Sequence, residues 1–486
     1  MSSCIETNAV NTTHMLLPYQ TGYSESKGYE EIHSYYYPRG PIKRILSFFR
    51  AAGGLPMYSG NTEYYEFDQI ARDILGRSSF GSAIQSTIFG GGKGFELHSM
   101  VASSLGEIIE RAIGSLANFD YDNKVHFGTY DELKAKGYNC IEPKKFPLFA
   151  KQQYGKNGLA YHPFDKDVFL GWIEGERLLQ SSESIWVPAQ LSLPFYLAHP
   201  REKLLGYATS GGLSAHVSRE LAIYHGLSEV LERDAVNVHW NCGHPPKQID
   251  IDCEPNDHRT RKVLNHAAST VDNIRLYLHP TEFKGFHTVT AIGFIKGFSS
   301  WSYLAGGGGG FDINEAILSA LGELVQAENS CRIQLYCPEW GYSDRVRELF
   351  GVEENTPVEK FDIFYKVVGH YGYPSNARKL DWYLNGPEVE KLSELQNAPN
   401  DKGSNYDRMM ELVKKYDLDP IFFDFTLPSF KDVCLTKVIC TKLTPPYLHS
   451  LPLLGADRYR TLPKELGWTD RELKYEDLTR DPQPYP

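Results

Sequence analysis

The stretch of sequence from Gly211 to Ala235 reads GGLSAHVSRELAIYHGLSEVLERDA. After the paired glycines, apolar residues recur at three- and four-residue steps, which is the period of one face of an α-helix. These apolar residues are Leu221, Tyr224, Leu227, Leu231 and Ala235. Glu229, Glu232 and Arg233 lie three and four residues apart and therefore share another face of that helix. Taken alone, such a charged cluster is more typical of a solvated salt-bridge face.

The same arrangement of glycines followed by a glutamate occurs three times. The distance from the last glycine to the glutamate is 13, 17 and 13 residues for the pairs Gly94–Glu107, Gly212–Glu229 and Gly310–Glu323. In each case two aliphatic residues follow the glutamate, and then comes a second Glu or a Gln. Internal similarity of this kind predicts a structural unit used more than once, here a Gly-rich turn followed by a helix.

Four carboxylates are predicted to converge from the first two of these helices, namely Glu107, Glu110, Glu229 and Glu232. Bringing like charges together is costly unless cations neutralise them. Hard oxygen ligands suit Mg²⁺, and Mg²⁺ held by carboxylates usually also binds phosphate groups. The pattern therefore predicts a magnesium–phosphate site between the helices.

The first of these helices carries the pattern SxxxExxER on Ser103, Glu107, Glu110 and Arg111. Together with the stretches SGGLSAH…LSEVLERDA and ALGELVQ, this pattern resembles the YcaO family, whose members use ATP to activate backbone amides of peptides. The resemblance runs from about Tyr35 to the end of the sequence. It implies an α/β (α+β) class, with a YcaO-like fold in which repeated Gly-turn–helix units surround a central nucleotide site.

The sequence ends in three alternating prolines, Pro482, Pro484 and Pro486. They look like the C-terminal PxPxP tail of the azoline-forming YcaO proteins. Alternating prolines favour polyproline II, which is stiff and could enter a cleft at low entropy cost; the alternative is a solvated tail. The resemblance implies that these three residues are catalytic, with the Pro486 carboxylate aiding proton transfer.

The resemblance also implies ATP and Mg²⁺ as cofactors. By the family's motifs, the metal ligands are Glu107, Glu110, Glu229 and Glu232, and the nucleotide contacts are Ser103, Arg111, Arg233, Gln326 and Lys93. Alternatives remain open for several contacts. Lys93 could be a solvated side chain in a flexible turn, Ser103 could bond its own helix backbone, and each arginine could form an ion pair on its own helix.

Three positions depart from the family's pattern. Ser330 stands where the third motif, QxxxR, has its arginine, with Arg332 two residues further on. Leu227 stands where the second motif has serine, and Val217 stands where a small polar residue is common. These departures leave open a divergent nucleotide pocket or a catalytically silent homologue.

Two domains are predicted: an N-terminal tail or arm over residues 1–34, which is polar and has no clear period, and a YcaO domain over 35–486. From Pro445 onward the chain reads as loop. The net charge of −11 argues against a nucleic-acid partner. The eight cysteines form no CxxC pair. No signal peptide and no run of 18 apolar residues is found, so no membrane partner is expected and a cytoplasmic location is predicted.

The resemblance implies an ATP-dependent cyclodehydratase that converts Cys, Ser or Thr residues of a ribosomally made precursor peptide to thiazolines or oxazolines. Expected partners are the precursor, a leader-binding, E1-like protein and a flavin-dependent dehydrogenase, within a homodimer or a larger synthetase complex. Two alternatives are the same ATP chemistry yielding a thioamide or macroamidine, and a catalytically silent scaffold in a peptide-modifying complex.

Overall fold

The computed structural model describes residues 27–38, 40, 42–48, 54–64, 89–116, 124–146, 148–155, 159–180, 183–194, 196, 198–270, 274–295, 300–361, 363, 365–397 and 403–485. The first 26 residues of the predicted N-terminal tail and the predicted catalytic residue Pro486 lie outside these ranges.

The strands are β1 (Ile42–Phe48), β2 (Tyr58–Tyr64), β3 (Phe89–Gly94), β4 (Val125–Gly128), β5 (Leu170–Arg177), β6 (Ser184–Pro188), β7 (Leu213–His216), β8 (Lys247–Asp250), β9 (Arg275–Leu278), β10 (His287–Phe294), β11 (Tyr303–Gly310), β12 (Val389–Lys391), β13 (Ile421–Asp424) and β14 (Cys434–Ile439). The helices are α1 (Lys27–Ser34), α2 (Leu97–Leu116), α3 (Tyr130–Ala135), α4 (Arg219–Asn241), α5 (His258–Thr270), α6 (Ile313–Tyr336), α7 (Gly341–Phe350), α8 (Lys366–Tyr371), α9 (Pro374–Ala377), α10 (Asp381–Leu384), α11 (Leu392–Gln396), α12 (Asn405–Lys415) and α13 (Arg458–Glu465). This mixture of helix and sheet confirms the predicted fold class.

The strands form three sheets. Their orders are β1-β2-β3, β11-β10-β9-β8-β12 and β4-β5-β13-β14-β7, with β6 added beside β5. Strands β3, β7 and β11 each lie at an edge of a sheet in the part of the chain that the structure describes. Each of these edge strands leads into one of the three long glutamate-bearing helices, α2, α4 or α6.

Two of the three predicted Gly-rich turns are strands, which corrects the sequence-based prediction. Gly90–Gly94 belongs to β3 and pairs with β2, and Gly306–Gly310 belongs to β11 and pairs with β10. The following helix packs directly on the strand backbone: a Cβ on Gly92 would lie 2.0 Å from Ser104 Oγ, and one on Gly306 would lie 2.2 Å from the Ala320 carbonyl oxygen. The glycines therefore allow close packing of helix on strand, and only the Gly211–Gly212 pair is a turn, with Gly212 at φ +80°.

Helices α4 and α6 begin at conventional caps, and α4 buries most of its predicted apolar face. Ser218 accepts a hydrogen bond from the Leu221 amide at the start of α4, and Asp312 accepts one from the Asn314 amide at the start of α6. On α4 the predicted apolar face is buried at Tyr224, Leu227, Leu231 and Ala235, whereas Leu221 in the first turn is exposed. These contacts fix the direction in which the opposite, charged face of α4 points.

Two segments expected to lack regular structure contain helices. Helix α1 lies within the predicted N-terminal tail and packs on this chain, where its Glu31 carboxylate accepts hydrogen bonds from the Lys431 and Asp432 amides. Helix α13 lies in the segment predicted as loop, and Arg458 at its start binds the fully buried carboxylate of Asp234 on α4 at 2.7 Å. A helix long and apolar enough to cross a membrane is not found among the described residues.

Candidate active site

The three edge strands converge on a group of glutamates, and backbone amides hold most of them. Gly91 on β3 donates its amide hydrogen to Glu107, and Gly307 on β11 donates to Glu323 Oε2 at 3.0 Å. Strand edges carry amides that no neighbouring strand uses. Here the glutamates of the helix that follows each glycine strand accept those hydrogen bonds.

The third unit repeats this arrangement around the glycine turn. The Gly212 amide donates to Glu229 Oε2 at 2.8 Å, and the Ala215 amide on β7 donates to Glu110 Oε1 at 2.6 Å. The latter contact joins the edge of one sheet to α2, the helix of another unit. Glu107, Glu110, Glu229 and Glu323 are thus held by backbone amides in the absence of any ligand.

Three cationic side chains lie among the glutamates. Lys93 Nζ is 3.1 Å from Glu323 Oε1, and Arg111 Nη2 is 2.5 Å from Glu107 Oε1. Arg233 is farther from its acidic neighbours, at 3.9 Å from Glu229 and 3.8 Å from Glu232. The own-helix ion pair considered for Arg111 is therefore formed. The contacts of Arg233 with its acidic neighbours are looser, and its guanidinium group also lies over the ring of Tyr485, 4.3 Å from the ring centroid.

Burial shifts the pKa values of these carboxylates upward. Loss of hydration raises the pKa of Glu107 despite Arg111 and Lys93, and it raises the pKa of Glu110 well above its usual range. It also raises the pKa of Glu232 to about 7 in spite of Arg233. Burial acts in the same direction on Glu323, but Lys93 and Arg233 outweigh it and hold the pKa of Glu323 below its ordinary value.

The glutamates separate two cavities. The larger, of about 670 Å³, is lined by polar side chains of α2, α4 and β7 together with Tyr29 and Ile32 of α1. The smaller, of about 350 Å³, has many aromatic residues in its wall. Both cavities are lined by a shared set of residues: Lys93, Ser103, Glu107, Arg111, Ser210, Glu229, Arg233 and Glu323.

The structure brings together every predicted site residue that it describes on α2, α4, α6 and β3. Ser103 is exposed to both cavities, and Gln326 lines the smaller one next to Gly91. Glu110 and Glu232 line the larger cavity. Lys93 lies on a strand and pairs with Glu323, so the solvated-turn alternative for Lys93 is wrong.

The C-terminal tail is buried beside this group. Pro482 and Pro484 are buried, and their carbonyl oxygens accept hydrogen bonds from the hydroxyls of Tyr371 and Tyr303. The tail therefore lies in a cleft, and the solvated-tail alternative does not hold for residues 482–485.

Two residues of the site were missed from the sequence. The Tyr485 hydroxyl lies 2.6 Å from Glu232 Oε1 and 2.9 Å from Glu323 Oε2, so a tail tyrosine reaches the glutamates. Glu323 is the fifth carboxylate, and its position 13 residues after a glycine run, like that of Glu107, was a signal that could have identified it. Tyr485 had no comparable signal.

The three residues that depart from the family's pattern lie in different surroundings. Ser330 lines the smaller cavity, and its hydroxyl donates to the Gln326 carbonyl; Arg332 instead pairs with Glu328 at 2.7 Å. Val217 contacts α1, where a Cβ on Gly28 would lie 2.5 Å from Val217 Cγ1. Leu227 is buried in the core.

The residues fit divalent cations in charge and in donor type. When all are ionised, the residues lining the two cavities place five carboxylates against three Lys and Arg side chains. Such an excess of buried negative charge favours cations, and carboxylate oxygens are the ligands that Mg²⁺ prefers. In their present rotamers the carboxylates are turned to their hydrogen-bond donors, and no group of three or more His, Cys, Asp or Glu among the described residues is placed to hold a metal ion.

Comparisons with known proteins show which family the chain matches. Residues 91–444 match the family model described as YcaO cyclodehydratase, ATP- and Mg²⁺-binding. A stretch of 90 residues is 34% identical to an uncharacterized protein of Methanothermobacter thermautotrophicus, which corresponds to 18% of this chain and 22% of that protein.

Three solved structures have a similar fold. A heterocyclase in complex with substrate and cofactor has a TM-score of 0.70 at 18% identity, over 94% of this chain and 57% of that one. The YcaO protein of Methanopyrus kandleri bound with AMPPCP and Mg²⁺ has a TM-score of 0.54 at 20% identity, over 83% and 86%. The E. coli microcin synthetase McbBCD complex with pro-MccB17 bound has a TM-score of 0.57 at 14% identity, over 91% and 96%. The present chain thus spans little more than half the length of the heterocyclase.

Proposed function

Because the chain belongs to the YcaO family, described as ATP- and Mg²⁺-binding, we propose that it is an ATP-dependent cyclodehydratase acting on a ribosomally made precursor peptide. The observation that carries the proposal is the group of five glutamates between two cavities, with a proline-rich tail docked against it. If the glutamates formed a solvated salt-bridge face, they would not line two cavities and no tail would be docked against them.

The proposed reaction forms a five-membered ring within the peptide. The side-chain thiol or hydroxyl of a Cys, Ser or Thr loses its proton to a base, for which we propose the Pro486 carboxylate. Its sulfur or oxygen adds to the preceding amide carbon, and the amide oxygen becomes negatively charged. ATP supplies the phosphoryl group that this oxygen takes up, with release of ADP. Loss of phosphate from carbon and of the amide proton then leaves the C=N bond of the azoline.

The chain's own residues contribute binding, orientation and charge. Glu107, Glu110, Glu229 and Glu232 are proposed to hold Mg²⁺ through their carboxylates. Lys93, Arg111 and Arg233 lie on the wall shared by both cavities, where they would contact phosphate oxygens. Positioning and charge neutralisation of this kind account for most catalysis of phosphoryl transfer, so no protein nucleophile is required.

The two cavities differ in lining, and we assign them different ligands. The larger cavity is polar around α2 and β7, which suits the nucleotide, whose triphosphate would reach the shared wall. The smaller cavity has Tyr207, Tyr342, Phe350 and Tyr365 in its wall, which suits peptide side chains. The reacting amide would then meet the phosphate at the glutamates.

Partner proteins are also proposed. One similar structure is a synthetase complex with its precursor bound. This comparison supports a precursor peptide and a synthetase partner, and we propose that the partners include a leader-binding, E1-like protein within a homodimer or a larger synthetase complex. A flavin-dependent dehydrogenase that oxidises the azolines would be a further partner.

The proposal is tested by Mg²⁺-dependent ATP binding to the purified chain, measured by calorimetry. Replacing Glu232 with Gln should weaken binding by at least about tenfold, because even residues that only support a metal ligand cost 10–100-fold when removed. Glu220→Gln is the matched control, since Glu220 is exposed in the first turn of the same helix. We expect the control to bind like the wild type.

The scaffold alternative is favoured by one specific observation, the absence of an arginine at position 330 of the cavity wall. A scaffold would bind no ATP, alone or with a partner protein. It would also keep its role in vivo when Glu107 and Glu229 are changed to Gln. Either result would contradict the proposed cyclodehydratase.

A further inference from the structure

The Tyr485 hydroxyl joins two carboxylates that come from different helices. Its oxygen is 2.6 Å from Glu232 Oε1 on α4 and 2.9 Å from Glu323 Oε2 on α6. Tyr485 and Glu232 are both buried. A buried hydroxyl between two carboxylates restricts the rotamers of both.

Glu323 is the fixed end of this bridge. Its Oε2 accepts the Gly307 amide at 3.0 Å, and its Oε1 accepts Lys93 at 3.1 Å. Glu232 is held less completely: the hydroxyl is its hydrogen-bond donor, and Arg233 stays 3.8 Å away. No hydrogen bond within the described part of the chain reaches Glu232 Oε2, so this oxygen can bind another group.

Strand β11 makes room for the bridge. A Cβ on Gly307 would lie 2.3 Å from the Tyr485 hydroxyl oxygen and 2.8 Å from Glu232 Oε1. A side chain at position 307 would therefore displace the hydroxyl, the carboxylate or both. The contact between the Tyr485 hydroxyl and Glu232 therefore depends on the lack of a side chain at Gly307.

The hydroxyl is not needed to hold the tail in its cleft. Trp240 Nε1 donates to the Asp481 carbonyl at 2.9 Å, and Gln483 Nε2 donates to Asn237 Oδ1 at 2.5 Å. The carbonyls of Pro482 and Pro484 accept from Tyr371 and Tyr303. The tail is thus anchored by three of its backbone carbonyls and by the Gln483 side chain, and the hydroxyl is available to orient the carboxylates.

We propose that Tyr485 is a positioning residue that orients Glu232 toward the divalent cation, using Glu323 as a fixed anchor, so that tail docking and cation binding are energetically linked. This inference rests on the cation site of the proposed function. Partners that hydrogen-bond to a metal ligand fix its orientation and strengthen metal binding. Linkage is reciprocal, so the cation must also stabilise the docked tail.

The first test is Mn²⁺ binding to the full chain, measured by electron paramagnetic resonance without nucleotide. We expect Tyr485→Phe to weaken binding by roughly 10-fold, the low end of the effect of outer-shell partners. Tyr475→Phe is the control, because it removes a hydroxyl from the same C-terminal segment away from the glutamates. Tyr485→Phe should have much less effect in a Glu323→Met background, since a methionine side chain offers no strong hydrogen-bond partner and the bridge is already broken there.

The second test is hydrogen exchange of the Gln483 and Tyr485 amides, followed by mass spectrometry. Saturating Mn²⁺ should slow exchange in the wild type and have little effect in Tyr485→Phe. Equal Mn²⁺ affinity of the two proteins would overturn the inference and leave the proposed function intact. Tighter binding by Tyr485→Phe would overturn it as well, since the hydroxyl would then compete with the cation. Failure of the wild type to bind Mn²⁺ without nucleotide would overturn the inference, whereas the proposed function is decided by Mg²⁺-dependent ATP binding.

Discussion

At the scale of single residues, Lys437 is notable because it is a buried lysine that does not belong to the glutamate group. Its ammonium donates hydrogen bonds to the carbonyl oxygens of Thr209 and Gly211, at the turn whose Gly212 amide holds Glu229. Burial lowers the pKa of Lys437 to about 8 from 10.5, although Glu229 opposes the shift. The turn that holds Glu229 is therefore supported by the Lys437 ammonium, whose burial costs free energy.

This burial predicts a specific pH dependence of stability. Between pH 8 and 10.5 the unfolded chain keeps the Lys437 proton that the folded chain has released. The free energy of unfolding should therefore rise with pH in this window, by at most about 1.4 kcal/mol per pH unit. Urea denaturation at several pH values, compared between the wild type and Lys437→Met, isolates this contribution. The exposed-lysine control Lys414→Met should keep the wild-type slope, and an unchanged slope in Lys437→Met would contradict the prediction.

At the scale of structural elements, the repeated unit is a glycine strand or turn with a helix, and a hydrogen bond closes each copy. The amide donors and glutamate acceptors are 16 residues apart for Gly91–Glu107 and Gly307–Glu323, and 17 apart for Gly212–Glu229. The regular spacing seen in the sequence therefore reflects one contact made three times.

Close packing of helix on strand predicts the effect of adding one methyl group. In Gly92→Ala the new Cβ would lie 2.4 Å from the Met100 carbonyl oxygen and from the Ser104 amide nitrogen, and backbone atoms cannot easily move away. We expect a loss of about 1–3 kcal/mol or more in the free energy of unfolding. Gly106→Ala on α2 is the control, because a Cβ there meets nothing within 4 Å. Because alanine has a higher helix propensity than glycine, Gly106→Ala should raise the free energy of unfolding by about 0.5–1 kcal/mol. Denaturant unfolding of both variants provides the comparison, and equal stability would argue against this packing.

The glutamate helices could be predicted from the sequence, whereas their partners could not. Apolar periodicity and glutamate spacing indicated where α2, α4 and α6 lie and that the carboxylates of α2 and α4 converge. Glycine runs favour turns by local propensity, so β3 and β11 were misjudged; the packing of a helix on the strand, which is a tertiary contact, decides their conformation. Helix α13 was missed because local composition gives no sign of the Arg458–Asp234 ion pair.

At the scale of the whole molecule, the tail completes a site whose other parts lie far away in the sequence. Tyr485 reaches Glu232 and Glu323, which are 253 and 162 residues earlier in the chain. Prolines at alternate positions predicted a stiff tail in a cleft, but its contacts depend on Tyr303 and Tyr371, which no local pattern indicates. The catalytic roles expected for Pro482, Pro484 and Pro486 stay predictions.

Deleting residues 482–486 tests the tail directly. We expect ring formation on the precursor to be abolished, because the deletion removes the groups that the tail brings to the glutamates. The protein should remain folded, as judged by near-ultraviolet circular dichroism and a cooperative thermal transition. Retained ring formation in the truncated protein would show that the tail has no role in the reaction.

The edge position of β3, β7 and β11 has a consequence for solubility. An uncovered strand edge can pair with a strand of another molecule and start aggregation. Here Gly91, Ala215 and Gly307 give their amide hydrogens to glutamates, so these amides are not available to an approaching strand. The same carboxylates therefore protect the edges of β3, β7 and β11. Variants that lack these carboxylates should precipitate more readily during expression than the loss of stability of each variant alone would explain.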